Sequence, residues 1–241
     1  MIQITDTVKH LIIINVLVFF TVQFIAPGLG DYLAMHFIAN PAFKPWQIIT
    51  HMFMHGSIPH LLFNMIGLWM FGSVVEQMLG KKRFLFLYFV SGIGAVLIFE
   101  LIDYIHFQML FSEMLKSGIP KNTIQQIMYT GKASPKIFAV IPEEKLVTLI
   151  TIYGKRLVGA SGALYGLMIA FGMLMPRAKM GLLFLPIMIE ARYFIPLLLL
   201  GDMLFGIFGT TSIGHFAHVG GAITGFLVML YYKKRQFNGW R

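Results

Sequence analysis

The chain has 241 residues, of which 57% are hydrophobic and 12% charged, and its mean hydropathy of +0.76 exceeds what one soluble core can hide. Nineteen bases against ten acids give a formal charge of +9. The bases fall mostly between apolar runs, a pattern that sets nucleic acid aside and points to a lipid bilayer as the partner. With no cysteine present, disulfide and thiol chemistry are excluded.

A helix needs about 20 apolar residues to cross roughly 30 Å of hydrocarbon, where no water can satisfy the backbone. In chain order the first such run is Val8 to Ala26, expected to be a retained span rather than a signal peptide because no small-residue cleavage site follows it. The runs His60 to Leu79, Phe84 to Ile105, Gly159 to Met175, Arg192 to Phe208 and His215 to Tyr232 complete six. A further apolar stretch, Met180 to Ile189, contains Pro186 and has about half the needed length, so an interfacial or re-entrant piece is expected there. The fold class is therefore all-α: a polytopic membrane protein with a six-helix bundle, in a single domain over residues 1–241 with an extended external loop at about 107–156.

Excess Lys and Arg in short loops marks the cytoplasmic side. Lys81, Lys82 and Arg83 follow the second helix, Arg177, Lys179 and Arg192 lie between the fourth and fifth, and Lys233, Lys234 and Arg235 follow the sixth. All three clusters share one side if both termini are cytoplasmic. The stretch from Phe107 to Arg156 holds seven bases on the other side, but long loops weigh little in this rule.

Polar groups at membrane depth are costly and mark function by default. His60 and Asn64 share a face of the second helix, Ser161 stands between Gly159 and Gly162 in the fourth, and His218 is in the sixth. These three helices run in the same direction, and each residue lies within about the first two turns, so the groups share a depth. A serine hydroxyl is a poor nucleophile until a base takes its proton, and His218 is placed to be that base. No Asp or Glu lies at this depth as a clear third member, since Asp202 belongs to the fifth helix and Glu76 to the inner end of the second, so a Ser–His dyad is expected, with Asp202 assigned no role. Tyr165, one turn beyond Ser161, can stack on the imidazole and hold it. The Ser161 amide, the Asn64 amide and the His60 ring are available as donors to an oxyanion. Gly162 and Gly166 below Ser161, and Gly221 and Gly225 below His218, form two GxxxG pairs that let these helices approach closely.

Together these residues resemble the rhomboid family of intramembrane serine proteases. Gly159-Ala160-Ser161-Gly162 matches its GxSG pattern, His60-Leu61-Leu62-Phe63-Asn64 its HxxxN pattern, and Ala217-His218-Val219-Gly220-Gly221 with Gly225 its AHxxGxxxG pattern. The likeness runs from about Trp46 to Gly225 and takes in His51, His55, Glu76 and Gly80. It implies Ser161 as nucleophile, His218 as base, and His60, Asn64 and Ser161 as oxyanion stabilisers, with Tyr165 packing the histidine. It also implies single-pass membrane proteins as substrates, a gate between the second and fifth helices, and a lid near Gly209 to Gly214. In two places the chain departs from the family: Trp46-Gln47 stands where Trp-Arg is common, and the 107–156 loop is longer than in compact bacterial members.

Each residue also has a plainer reading. Ser161 alone would be a packing residue, and Asn64 a bridge between helices. His51 with His55, and His215 with His218, invite a metal. Without an HExxH motif to supply a metalloprotease base, bracing of a loop by neutral histidine is the preferred reading, and no metal or cofactor is expected. Glu76 is expected to make a structural contact at the inner face near Lys81 to Arg83, and Trp46 to anchor the first loop at the interface. The rival functions are an inactive rhomboid-like factor that binds membrane proteins, and a metal or solute transporter.

Overall fold

The computed structural model describes residues 3–181, 188–208 and 214–238. Besides short helical turns at Leu29–Leu33, Gln47–Thr50 and His51–Phe53, its helices are α1 (Asp6–Ile25), α2 (Ile58–Leu79), α3 (Lys81–Lys116), α4 (Lys121–Thr130), α5 (Pro135–Phe138), α6 (Glu143–Gly154), α7 (Ser161–Leu174), α8 (Ala191–Phe208) and α9 (His215–Asn238). Four of these, α1, α2, α3 and α8, are long and apolar enough to cross a membrane. Apolar α7 is shorter, at 14 residues, and α9 opens on two histidines. The chain is an all-α, polytopic integral membrane protein, and the six expected runs correspond to α1, α2, α3, α7, α8 and α9.

Local chemistry sets the helix ends. Ser57 caps α2 by accepting the His60 amide N–H at 3.2 Å, with Pro59 in the first turn, where its missing donor does no harm. Only Gly80, at φ +80°, separates α2 from α3, an angle that glycine alone adopts freely. Glu76 accepts from the Thr5 hydroxyl and, at 3.3 Å, from the Val8 amide of the first turn of α1. It therefore caps α1 instead of meeting Lys81 to Arg83.

Helix α3 was expected to end near Ile105 but runs to Lys116, because nothing between breaks it. It stops in a Schellman turn: Gly118 takes φ +83°, its N–H bonds the Leu115 carbonyl, and the Ile119 N–H bonds the Met114 carbonyl. The expected loop from 107 to 156 is largely helical. The extension of α3 carries Phe107, Leu110 and Met114, which pack with Ile124 and Ile127 of α4, Leu146, Leu149 and Ile152 of α6, and Phe37 into a core of their own. A second core lies among α1, α2, α3, α7 and α9, around Val8, Leu68, Phe84, Leu87, Tyr88 and Leu167.

Two short antiparallel ribbons complete the fold. Strands β1 (Met35–His36) and β2 (Arg156–Leu157) tie the segment before α2 to the segment before α7. Strands β3 (Lys179–Gly181) and β4 (Met188–Glu190) pair Met180 with Ile189, so the ends of the short apolar stretch meet. Pro186 lies outside the described residues, as do residues 209–213 of the expected lid.

Candidate active site

Helices α7 and α9 touch through their backbones. A Cβ on Gly221 would lie 1.9 Å from the Gly162 carbonyl oxygen, and one on Gly225 would lie 2.5 Å from the Gly166 Cα. On the other flank of α7, a Cβ on Gly162 would lie 2.4 Å from the Ala95 Cβ, and one on Gly166 would lie 2.1 Å from the Ser91 hydroxyl. Only hydrogen fits at these four positions, and this close approach brings two side chains at the ends of the helices together. The Ser161 hydroxyl is 2.8 Å from His218 Nε2. The Tyr165 ring lies parallel to the imidazole, 4.4 Å between centroids and 6° between planes, so one face of the histidine is fixed by stacking.

Ser161 begins α7, so its N–H has no partner within the helix. The preceding Gly159 has φ +125°, and a Cβ there would come within 2.8 Å of His60 Nε2 and 3.6 Å of the Ser161 hydroxyl. Glycine is thus required twice over, and His60 and Ser161 flank the same bare backbone.

The profile of the Rhomboid domain matches residues 42–235. The chain belongs to the rhomboid family. It is similar to "Presenilin-associated rhomboid-like protein A, mitochondrial" of Danio rerio, 26% identical over 202 residues, which are 83% of this chain and 41% of that protein. It is also similar to "Rhomboid protease GlpG" of Salmonella choleraesuis, 36% identical over 70 residues, which are 27% of this chain and 25% of that protein. The chain thus spans less than half the length of these curated relatives.

Within this rhomboid site, a carboxylate stands where none was expected. The His218 Nδ1–H donates to Asp202 Oδ2 at 2.9 Å, and the His215 Nδ1–H donates to Asp202 Oδ1 at 2.8 Å. Sequence reasoning missed Asp202 because it compared depth only among helices running in one direction. Asp202 sits six residues before the end of α8, about 9 Å along an antiparallel helix, which is a depth like that of His218. Asp202, His215 and His218 are also the one histidine–acid group among the described residues whose ligand atoms lie within 4.8 Å of one another. Hydrogen bonds already account for that arrangement, since both Nδ1 atoms face the carboxylate and His218 Nε2 faces the serine.

The Asn64 amide donates to the His60 carbonyl one turn back at 2.8 Å, while its buried Oδ1 has no partner. One amide hydrogen remains for another acceptor. Asn64 therefore shares the site's helix face, but its own described contact is within α2.

The segment before α2 is braced by Gln47 in place of an arginine. The fully buried Gln47 accepts from the amides of His36 and Lys44 at 3.3 and 3.0 Å. It donates to the carbonyls of Asp31, Tyr32 and Ala42 at 3.2 to 3.4 Å. Trp46 donates its indole N–H to the Tyr32 carbonyl at 2.9 Å. His51 donates from Nδ1 to the Gln47 carbonyl at 2.9 Å, and its own carbonyl accepts the Gly159 N–H at 2.9 Å. This chain of bonds links the first loop to the turn that presents Ser161. Burial holds the pKa of both His51 and His55 down to about 4, so these rings stay neutral; His51 braces the loop through its bond to Gln47, whereas the buried ring nitrogens of His55 have no hydrogen-bond partner among the described residues.

Proposed function

We propose that this chain is an intramembrane serine endopeptidase that cleaves the membrane segments of single-pass proteins through Ser161 and His218. The observation that carries this reading is the 2.8 Å contact between the Ser161 hydroxyl and His218 Nε2, held at membrane depth by two helices in backbone contact. Ser161 attacks the scissile carbonyl carbon as His218 Nε2 takes its proton. The resulting oxyanion is met by the Ser161 N–H, with His60 and Asn64 as further donors. The tetrahedral intermediate collapses to an acyl-enzyme when His218 returns the proton to the leaving amine, and water repeats the sequence to release the acid.

A transmembrane helix hides its own carbonyls, so the favoured substrates carry Gly, Pro or polar residues near the cut, where unwinding is easy. The basic loops support an orientation with both termini cytoplasmic and the site opening toward the outer face; we assign the chain to a bacterial plasma membrane. Support for the activity comes from family membership and from the relatives named as proteases.

The test is labelling of the purified chain in detergent by a fluorophosphonate. One labelled site, lost in Ser161→Ala and in His218→Ala, is the expected result. Failure of the wild type to label, together with failure to cut a panel of unstable membrane segments, would instead favour an inactive binding factor.

A further inference from the structure

Helix α8 buries side chains fully only near its start. Its buried residues, Ala191, Phe194 and Ile195, all lie in its first turn and a half. Pro196 follows, removing one backbone donor and weakening the helix at that point. Beyond it Leu197, Leu200, Leu204, Phe205, Ile207 and Phe208 are all exposed. This second half meets α9 through Gly206, where a Cβ would lie 2.7 Å from the His215 Cβ, and through Asp202. The Asp202 side chain is 13% exposed, and a carboxylate so covered must be paired to be tolerated. Both of its oxygens are used, one by each histidine.

We infer that Asp202 is a positioning residue for the proposed protease: it fixes His218 with Nδ1–H toward the carboxylate and Nε2 toward Ser161, and does so only while the second half of α8 is docked on α9. A dyad braced by stacking alone leaves the imidazole free to turn within its plane, since Tyr165 covers a face but bonds neither nitrogen. Asp202 removes that freedom and selects the tautomer that accepts the serine proton. Because the carboxylate comes from the half of α8 that buries no side chain fully, any lateral movement of that half also withdraws the support from the base. Substrate admission and activation of the serine are thereby linked through one side chain.

This inference rests on the protease reading, and the full chain in detergent tests both. Two reactions are compared in the wild type, Asp202→Asn, Asp202→Glu and His215→Gln: fluorophosphonate labelling, which needs no helix to enter, and cleavage of a membrane-segment reporter. Asp202→Asn is expected to slow labelling and to lower kcat on the reporter by about 10²-fold or more, as loss of the correct tautomer does elsewhere, with KM unchanged. Asp202→Glu, which keeps the charge, is expected to recover at least about tenfold of that loss, and His215→Gln, which disturbs one of the two bonds holding the carboxylate, to fall between the wild type and Asp202→Asn. The thermal midpoint of each variant shows whether it is folded.

An Asp202→Asn protein that labels at the wild-type rate while its KM for the reporter changes would overturn the inference and make Asp202 a latch. So would a His215→Gln protein as impaired as Asp202→Asn, or an Asp202→Glu protein no better than it. If Asp202→Asn does not fold, the glutamate and His215 variants decide. A wild-type protein that neither labels nor cuts the reporter refutes the protease reading itself, before any variant is made.

Discussion

Replacing Gly221 by alanine places a methyl group where the Gly162 carbonyl oxygen is 1.9 Å away and its carbon 2.7 Å away. An ordinary contact needs about 3.5 Å, and both obstacles are backbone, so no side chain can rotate aside. Helices α7 and α9 must separate by roughly 1.5 Å at this level. Ser161 adjoins Gly162 and His218 lies one turn before Gly221, so their 2.8 Å contact stretches to about 4 Å, beyond hydrogen-bond range. Misplacing a reacting group by about 1 Å costs on the order of a hundredfold in rate, and overpacking costs about 1–3 kcal/mol in stability. The assay is the second-order rate constant of fluorophosphonate labelling, with the thermal midpoint in detergent measured in parallel. Gly201→Ala is the control, because nothing lies within 4 Å of the added carbon. If Gly221→Ala labels as fast as the wild type, backbone contact between these helices is not what brings the two groups together.

Tyr165→Leu removes the ring stacked at 4.4 Å on His218; loss of about 0.5–1.5 kcal/mol of stacking should slow labelling by up to roughly tenfold, and an unchanged rate would refute the packing role. Gln47→Ala takes the bond partner from the His36 and Lys44 amides and the Ala42 carbonyl, while the Tyr32 and Asp31 carbonyls keep their bonds to Trp46 and His36. At about 1–3 kcal/mol for each buried group that water cannot reach, it should open the segment before α2 to limited proteolysis before the bundle itself unfolds, and wild-type resistance would count against the brace. His51 and His55 stay neutral when folded because burial lowers each pKa to about 4. Between about pH 6.5 and pH 4 the unfolded chain binds protons that the folded chain does not, so stability falls as pH drops through that window, by roughly 3 kcal/mol per ring, and levels off below it. Denaturation at pH 7 and pH 4.5 should show that fall in the wild type and a smaller one in the His51→Gln, His55→Gln double variant; equal falls would refute it.

The elements of the site that repeat in a short pattern could be read directly from the chain. Ser161 between glycines, His218 above its GxxxG pair, and Tyr165 one turn from the serine all meet as their spacing requires. Depth along parallel helices was sufficient to pair them. Asp202 escaped because a residue near the end of an antiparallel helix reaches the same level as one near the start of its neighbours, and nothing local to Asp202 announces this. The bracing role of Gln47 was hidden for a different reason: five partners from residues 31 to 44 converge on it only after the loop has folded. Helices α4 and α6, of 10 and 12 residues, are too short to be stable alone. Their apolar residues gain a partner only because α3 continues past Ile105, and the sequence carries no explicit signal for that continuation.

The length of α3 has a further consequence. At about 1.5 Å per residue its 36 residues extend roughly 54 Å, against about 30 Å of hydrocarbon, so a post about four turns tall stands clear of the lipid tails. Phe107, Leu110 and Met114 on that post stay dry only because residues 119–153 wrap around them. Trimming residues 119–153 would strip this cover and leave a greasy column in water, inviting self-association. Residues 119–153 and the upper part of α3 thus depend on each other: shortening one without the other uncovers apolar surface.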